Sequence, residues 1–138
     1  MTKKTILAEA IVNEQCAIVA ALLTDGFIDI YTGTQPHQPE DPITSQTLLI
    51  SSRLSGFSEP RNGTIFALPI DVAVAIATGD ASWARCFAAD HKTAIMDVSI
   101  GTKDANMTVT ATRIDRGRVM EILEWEHCVP RSTPGTPN

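Results

Sequence analysis

The sequence lacks the residue patterns that mark several common functional classes. Its three cysteines, Cys16, Cys86 and Cys128, are an odd number and show no CxxC spacing, which indicates neither a disulfide framework nor a zinc site. Apart from Lys3-Lys4, Lys and Arg are scattered singly, and the formal net charge is −5, whereas a protein that neutralises DNA phosphates needs clustered basic residues. We therefore expect no metal, no cofactor and no nucleic-acid partner.

Long apolar runs are also missing. No run approaches the ~20 residues that a membrane-spanning helix requires. Polar residues at Glu9, Asn13 and Glu14 interrupt the segment behind the basic N-terminus, which argues against a secretion signal. The sequence thus predicts a soluble protein that is synthesised in a reducing cytoplasm and has no membrane partner.

Catalytic constellations are equally scarce. Cys16 and Cys86 fall on apolar stripes, as buried free cysteines commonly do. His127 and Cys128 are adjacent, so in a strand their side chains point to opposite faces and cannot act as a base and its nucleophile. We therefore expect no enzyme active site. The remaining histidines are expected to be solvated turn residues: His37 and His91.

One amphipathic helix is predicted near the start of the chain, over residues 7–24. Several alanines supply helix propensity, and Gly26 suits a left-handed cap at the C-terminal end. The broad apolar face must pack either on the protein's own sheet or on a neighbouring subunit. The residues that recur at helical spacing are Val12, Cys16, Val19 and Leu23, and the stripe is widened by Ile11, Ile18 and Leu22.

After Gly26 the hydrophobic period changes from helical to alternating. Turn residues then separate about eight strand candidates, and the Asn62-Gly63 pair favours a tight turn. No second helix is predicted that could connect parallel strands. The sequence therefore predicts a mainly β fold, an antiparallel β-sandwich of about eight strands with one N-terminal α-helix.

The longest strand signal covers residues 64–78. Ile70, Val72, Val74 and Ile76 point to one side of this strand, and smaller or polar residues point to the other. Pro69 cannot donate a ladder hydrogen bond. We therefore predict a bulge or corner there, at which the strand leaves one sheet and joins the other.

The aromatic residues leave two questions open. Trp83, Arg85 and Phe87 share one strand face, and the Arg85 guanidinium could stack on Trp83. This group is either an aromatic patch for a sugar or a protein, or part of a strand that is covered on both faces. Trp125 is either a core residue or a contact anchor.

A chain of 138 residues fits one domain. We assign residues 1–129 to a single β-sandwich domain that includes the helix. Residues 130–138 contain three prolines and no hydrophobic anchor, which is typical of a flexible arm.

Several short motifs resemble those of small structural proteins of tailed bacteriophages. In such proteins a short helix precedes a strand that ends in Tyr-Ser/Thr-Gly-x-x-Pro, and a Trp/Phe-x-Arg strand and a Val-x-Asp-Gly-Ser-x-Gly-like turn follow. Val98 stands where that turn has a glycine, so the turn must differ locally. The resemblance covers most of the chain, from Asp25 to His127. The matching segments here are the helix with Gly26, residues 28–36, Leu48-Leu49, residues 83–87 and residues 94–102.

The resemblance implies a virion structural protein, similar to the jelly-roll capsid cement (decoration) proteins that tie neighbouring major capsid subunits together. It implies a jelly-roll-like sandwich on the capsid surface, synthesised in the bacterial host cytoplasm. The implied partners are the major capsid protein and further copies of this chain in a homodimer or trimer. We expect the N-terminal segment and the arm to order only on assembly. The residues expected to make protein contacts are Ile11, Ile18, Leu22, Trp125, Pro130, Arg131 and Pro134.

Two alternatives remain at this point. A low-copy tail or neck protein of the phage would need the same kind of β-sandwich. A carbohydrate-binding or receptor-binding module would need exposed aromatic side chains on one face. The candidates for such a face are Tyr31, Trp83, Phe87 and Trp125.

Overall fold

The computed structural model describes residues 2–3, 5–131 and 136–137. The protein is mainly β, with 39 % strand and 12 % helix, and its one helix lies near the N-terminus, as the change of hydrophobic period predicts. The elements are α1 (Glu9–Leu23), β1 (Thr2–Lys3), β2 (Phe27–Tyr31), β3 (Leu48–Arg53), β4 (Thr64–Phe66), β5 (Ala73–Val74), β6 (Gly79–Asp80), β7 (Trp83–Phe87), β8 (Ala94–Gly101), β9 (Met107–Val109), β10 (Arg113–Ile114), β11 (Val119–Met120), β12 (Ile122–Cys128) and β13 (Thr136–Pro137).

The inner side of α1 packs on the β structure. Val12, Cys16 and Leu23 are fully buried, and Val19 is partly buried against the core. These are the residues that recur at helical spacing, so the predicted inner stripe is confirmed. The side of the helix that carries Ile18 remains exposed.

The C-terminal end of α1 turns sharply into β2. Asp25 takes the left-handed conformation here, with φ 59°, so the expectation that Gly26 supplies it is wrong. Glycine is needed at position 26 for another reason: a Cβ there would collide with the carbonyl oxygen of Phe87 in β7. Close packing of the chain, and not an unusual φ, therefore fixes this glycine.

The Asn62-Gly63 turn holds the helix in place. Both residues have left-handed φ values, 49° and 74°, as expected for this pair in a tight turn. The Gly63 N–H donates to the Asn13 side-chain oxygen at 2.8 Å, and the Cys16 thiol donates to the Gly63 carbonyl at 3.0 Å. Burial raises the pKa of the Cys16 thiol, so it stays protonated and keeps this hydrogen bond.

The larger layer is a curled sheet of seven strands in the order β3-β2-β7-β8-β9-β12-β4. Its strand pairs are antiparallel except β8–β9, which is parallel and places Ile100 beside Met107. The sheet is therefore mixed, where the sequence predicts antiparallel strands. The short connection between β8 and β9 is held by Asn106, whose side-chain oxygen accepts hydrogen bonds from the Ser99 N–H and hydroxyl at 3.1 and 3.0 Å.

A thinner layer consists of the two-stranded pairs β5–β11 and β6–β10. The chain passes from the large sheet to this layer across Pro69, because β4 ends at Phe66 and β5 begins at Ala73. The predicted change of sheet is confirmed, but the predicted continuous strand over residues 64–78 is wrong.

One core is shared by α1 and both layers, and its members come from all three. Burial of this apolar surface is the main favourable term for the fold. The largest fully buried side chains are Trp83, Trp125, Leu23, Ile28, Ile30, Leu49, Ile50, Leu54, Ile65, Met107, Val12 and Val109.

Candidate protein-interaction surfaces

The outer side of α1 is apolar and exposed. Ile11, Ile18 and Leu22 are 44–60 % exposed, and we call these three residues the helix outer face. A shallow groove beside Ile18 is completed by Glu14 and small alanine side chains. The structure thus leaves three of the expected contact residues available to a partner on one surface.

Trp125 requires a correction. It is only 1 % exposed, and its indole meets the Phe57 ring edge to face, with the ring centroids 5.1 Å apart. Of the two roles that the sequence leaves open, the structure places it in the core. Its side chain therefore cannot serve as a contact residue in this conformation.

The expected contacts at the C-terminal end lie beside the N-terminal segment. The Leu7 N–H donates to the Arg131 carbonyl at 2.6 Å, and the Arg131 side chain donates back to the Leu7 carbonyl at 3.2 Å. Further along, β1 pairs with β13 in antiparallel register. Pro130 is exposed, whereas Pro134 lies outside the described residues. The domain boundary at residue 129 and ordering on assembly remain predictions.

A second exposed apolar surface lies on the thin layer. Val74 and Val119 are neighbours across the β5–β11 pair. With Val72 and Ile76 they form a surface that we call the valine face, on which each side chain is 57–63 % exposed. The other side of the same segment is turned inward, where Ala75 is buried in the core.

Sequence reasoning did not identify the valine face as a contact surface. The alternation is confirmed for residues 72–77, but it is wrong at the start of the segment, where Ile70 packs against the core and Asp71 is exposed. Both sides of the segment are apolar, so alternation alone does not show which side is buried. Side-chain size distinguishes the two sides, because alanines on one side alternate with branched residues on the other. In this segment the small Ala75 faces the core, whereas the branched Val72, Val74 and Ile76 are exposed.

The outer side of the large sheet is polar and closed. Arg85 is 5 % exposed and forms a bidentate pair with Asp97, at 2.8 and 3.1 Å. Its remaining donors reach the carbonyl oxygens of Asp41, at 2.7 Å, and Gln38, at 3.5 Å. The hydrogen bonds to Asp97 raise the pKa of Arg85. This pair therefore fixes the loop of residues 33–46 to the sheet.

The aromatic residues near Arg85 are covered as well. The guanidinium carbon lies 5.3 Å from the centroid of the Trp83 ring, which in turn stacks on Tyr31. Trp83 and Tyr31 are both buried. Trp125 is buried too, and Phe87 is half-buried against His91. Three of the four candidate aromatics therefore offer no exposed platform for a sugar, and the strand is covered on both faces at Trp83 and Arg85.

A histidine, a carboxylate and a hydroxyl meet at one edge of this polar side. His91 Nε2 lies 2.9 and 3.0 Å from the Asp29 carboxylate oxygens, and the Ser51 hydroxyl donates to the same carboxylate at 2.6 Å. The His91 ring also stacks on Phe27, so it is not simply solvated as expected. Because Ser51 is directed at Asp29 and not at the imidazole, this geometry does not activate the hydroxyl as a nucleophile.

The cysteines do not form a reactive pair with histidine. Burial raises the pKa of the Cys86 thiol, which keeps it protonated in the core. Cys128 is exposed and accepts a weak hydrogen bond from the Thr64 hydroxyl at 3.5 Å. Burial lowers the pKa of His127. Among the described residues, no group of three or more His, Cys, Asp or Glu side chains is placed to hold a metal ion.

Comparisons with protein-family models, with curated proteins and with solved structures each found no match to this chain. In the part of the chain that the structure describes, no helix is long and apolar enough to cross a membrane. Surface geometry and the sequence motifs therefore carry the functional argument.

Proposed function

We propose that this protein is a non-enzymatic virion structural protein of a tailed bacteriophage, a capsid cement protein that binds and clamps neighbouring major capsid subunits. The observation that carries the proposal is the helix outer face, where Ile11, Ile18 and Leu22 are exposed on a helix whose opposite side is buried. An exposed apolar surface of this kind is typical of a site for protein contact.

The helix that carries the outer face is anchored to the β structure by two hydrogen bonds. Asn13 and Cys16 fix the inner side of α1 to Gly63, so the outer residues keep their spacing without a partner. A surface that is ordered before binding loses little conformational entropy on contact. Because this entropy cost is low, a partner can bind the helix outer face through a small number of side chains.

The expected strength of a single contact is modest. Complete burial of one aliphatic side chain contributes about 1.5–3 kcal/mol, and the loss of translational and rotational freedom on association offsets much of the total. A cement protein acts on a lattice that repeats the same site, and linked contacts increase the overall affinity without any new contact. A small apolar face is therefore sufficient for a protein that clamps several subunits.

The motifs that resemble phage structural proteins cluster in space. Residues 28–36 include all of β2 except Phe27, residues 83–87 are β7, and residues 94–102 include β8. These three strands are neighbours in the large sheet, and Arg85 joins them to the loop that follows β2. The resemblance thus falls on one contiguous unit of the fold, which supports treating it as a single feature.

The first experiment measures how many copies of the chain a phage particle contains, relative to the major capsid protein, by quantitative mass spectrometry. A ratio near one to one is the expected result for a cement protein. A few copies per hundred would refute the cement role and favour a tail or neck component. Absence from particles would overturn the virion proposal altogether.

A second experiment tests the helix outer face directly. Leu22→Glu places a charge on it, and Phe66→Glu places the same charge at an equally exposed apolar site on β4 (48 % and 46 % exposed). We expect Leu22→Glu to weaken binding to undecorated capsids by about tenfold or more, since a loss of 1.4 kcal/mol gives that factor. Phe66→Glu should bind like the parent protein. Equal effects of the two variants would contradict the assignment.

A further inference from the structure

We propose that the valine face is the surface through which two copies of this chain associate, with the β5–β11 pairs packed face to face and antiparallel. The inference goes beyond the proposed function, because this pairing requires no capsid.

The valine face is a fixed surface. The Ala75 N–H donates to the Arg118 carbonyl at 2.8 Å, and the Gly117 N–H donates to the Ala75 carbonyl at 2.9 Å. The Ile76 N–H donates to Leu49 of the large sheet at 2.8 Å. These bonds hold the branched side chains outward, so the segment cannot rotate to bury them without losing its hydrogen bonds.

The two ends of the valine face carry opposite charges. Ala73 pairs with Met120, and the same register continued by one residue places Glu121 opposite Val72. Asp71, which precedes Val72, is exposed, whereas Ile70 packs against the core, so this end is acidic. The other end lies beside the turn that carries Arg116 and Arg118. In the β5–β11 register Arg118 lies opposite Ala75, so it flanks the valine face and does not lie on it. All four charged residues are exposed, and within the described residues none of them takes part in a salt bridge.

Two carboxylates, Asp115 and Asp80, and a third arginine, Arg113, also lie near the basic end. Asp115 is in the same turn as Arg116, but its side chain is 3.9 Å from that of Arg113. Arg113 also lies 3.8 Å from Asp80. The arginines outnumber the acids at this end, which therefore keeps an excess of positive charge.

This distribution of charge is complementary to itself. When two valine faces pack around a two-fold axis that lies in the interface and runs across the strands, the acidic end of each protomer covers the basic end of the other. The alternative axis, along the strands, places like charges together and is disfavoured. Two identical surfaces related in this way form a closed dimer.

The same charges make a second copy the best-fitting occupant. A partner with a uniformly acidic or basic surface would match one end of the valine face and be repelled by the other. An identical face satisfies both ends and covers Val74 and Val119 with apolar side chains of the same size. Apolar burial then supplies affinity, and the charges fix the orientation.

The first test compares two variants by sedimentation velocity of the purified protein. Val74→Lys places a charge at the centre of the valine face, and Ile18→Lys places one on the helix outer face at a comparable exposure (57 % and 60 %). We expect the sedimentation coefficient of the parent protein and of Ile18→Lys to rise with concentration to the value of a dimer. Val74→Lys should remain a monomer, with an unchanged circular dichroism spectrum.

The second test exchanges the charges. Asp71→Lys/Glu121→Lys makes both ends of the face basic, and Arg116→Glu/Arg118→Glu makes both ends acidic. Each variant should be monomeric, because every antiparallel pairing now opposes like charges. An equimolar mixture should associate again, since each end of one variant now faces the opposite charge on the other.

Three results would overturn the inference. They are a parent protein that stays monomeric up to millimolar concentration, a Val74→Lys variant that associates like the parent, and charge variants that fail to associate when mixed. All of these measurements use the protein without capsids. Failure of the inference is therefore distinct from failure of the proposed function, which depends on copy number and capsid binding.

Discussion

Two outer surfaces of this protein reverse the usual distribution of polar and apolar residues. On the outer side of the large sheet, the charged residues Arg85 and Asp97 are buried. On the outer side of the thin layer, Val74 and Val119 are exposed while Ala75 lies in the core. On these two surfaces, burial therefore follows the partners and the space that each position offers, and not the polarity of the side chain.

The difference between the two surfaces lies in what covers them. The loop of residues 33–46 supplies carbonyl oxygens to Arg85 at the positions that its guanidinium requires. Within the described residues, every buried side-chain nitrogen or oxygen has a hydrogen-bond partner, so burial of these charges leaves none unsatisfied. No segment of the described chain covers the valine face in the same way. The first surface is complete within one molecule, and we propose that a second copy completes the other.

The largest effect is expected from Arg85→Ala. The substitution leaves Asp97 buried without its partner and removes the donors that bind the loop. Breaking a buried ion pair on one side typically lowers the free energy of unfolding by about 3–5 kcal/mol. Urea unfolding monitored by Trp fluorescence measures the loss, and greater protease sensitivity of residues 33–46 should accompany it.

Arg113→Ala is the matched control for this prediction. Arg113 lies near Asp80 at 3.8 Å, but both side chains are more than half exposed. An exposed pair of this kind contributes about 0–1 kcal/mol. If Arg85→Ala and Arg113→Ala shift the urea midpoint equally, the polar side of the large sheet is not a structural unit and the comparison fails.

A smaller change in the free energy of unfolding is expected to distinguish the inner side of β5 from its exposed side. Ala75→Val adds two methyl groups to the inner side, where overpacking of a core typically costs about 1–3 kcal/mol. Val74→Ala removes the same two groups from the exposed side, where surface substitutions usually stay within about 0.5 kcal/mol. Both free energies of unfolding are to be measured at concentrations that keep the protein monomeric. A larger loss from Val74→Ala would show that the valine face is buried within one molecule.

The parts of the fold that sequence predicts well are those governed by local rules. The spacing of Val12, Cys16 and Leu23 predicts the inner side of the helix, and Asn62-Gly63 predicts a turn because few other pairs tolerate two left-handed residues. Pro69 predicts the change of sheet because it lacks an N–H. Each of these inferences needs only neighbouring residues.

The parts that sequence does not predict depend on distant residues. Trp125 fits a core or a contact site equally well until Phe57 is placed against it. The hydrogen bond from Arg85 to the carbonyl of Asp41 joins residues 44 positions apart, and no local pattern specifies it. The inward side of residues 70–77 is set by the space between the layers. For these positions, the pairing order of the strands must be known first.

The smallest predicted effect concerns a carboxylate at the rim of the polar side. Asp90 accepts hydrogen bonds from the Thr93 hydroxyl at 2.6 Å, from the Thr93 N–H at 2.9 Å and from the Lys92 N–H at 2.8 Å. These bonds lower the pKa of Asp90 from 3.8 to about 2, and the Thr93 hydroxyl contributes most. Asp90 thereby shapes the turn that presents His91 to Asp29.

The sign of the pH dependence follows from this pKa. The pKa of Asp90 is 3.8 in the unfolded chain and about 2 in the folded protein. Between these two pH values the unfolded chain binds the proton more readily than the folded protein does. The contribution of Asp90 to stability is therefore complete above this pH range and is lost as the pH falls through it. Asp90→Asn should therefore be less stable than the parent at neutral pH and approach it near pH 2. NMR titration provides the control, because Thr93→Val removes the hydroxyl at similar volume and should raise the pKa of Asp90. A stability difference between parent and Asp90→Asn that stays constant over this range would show that the carboxylate charge is not what orders the turn.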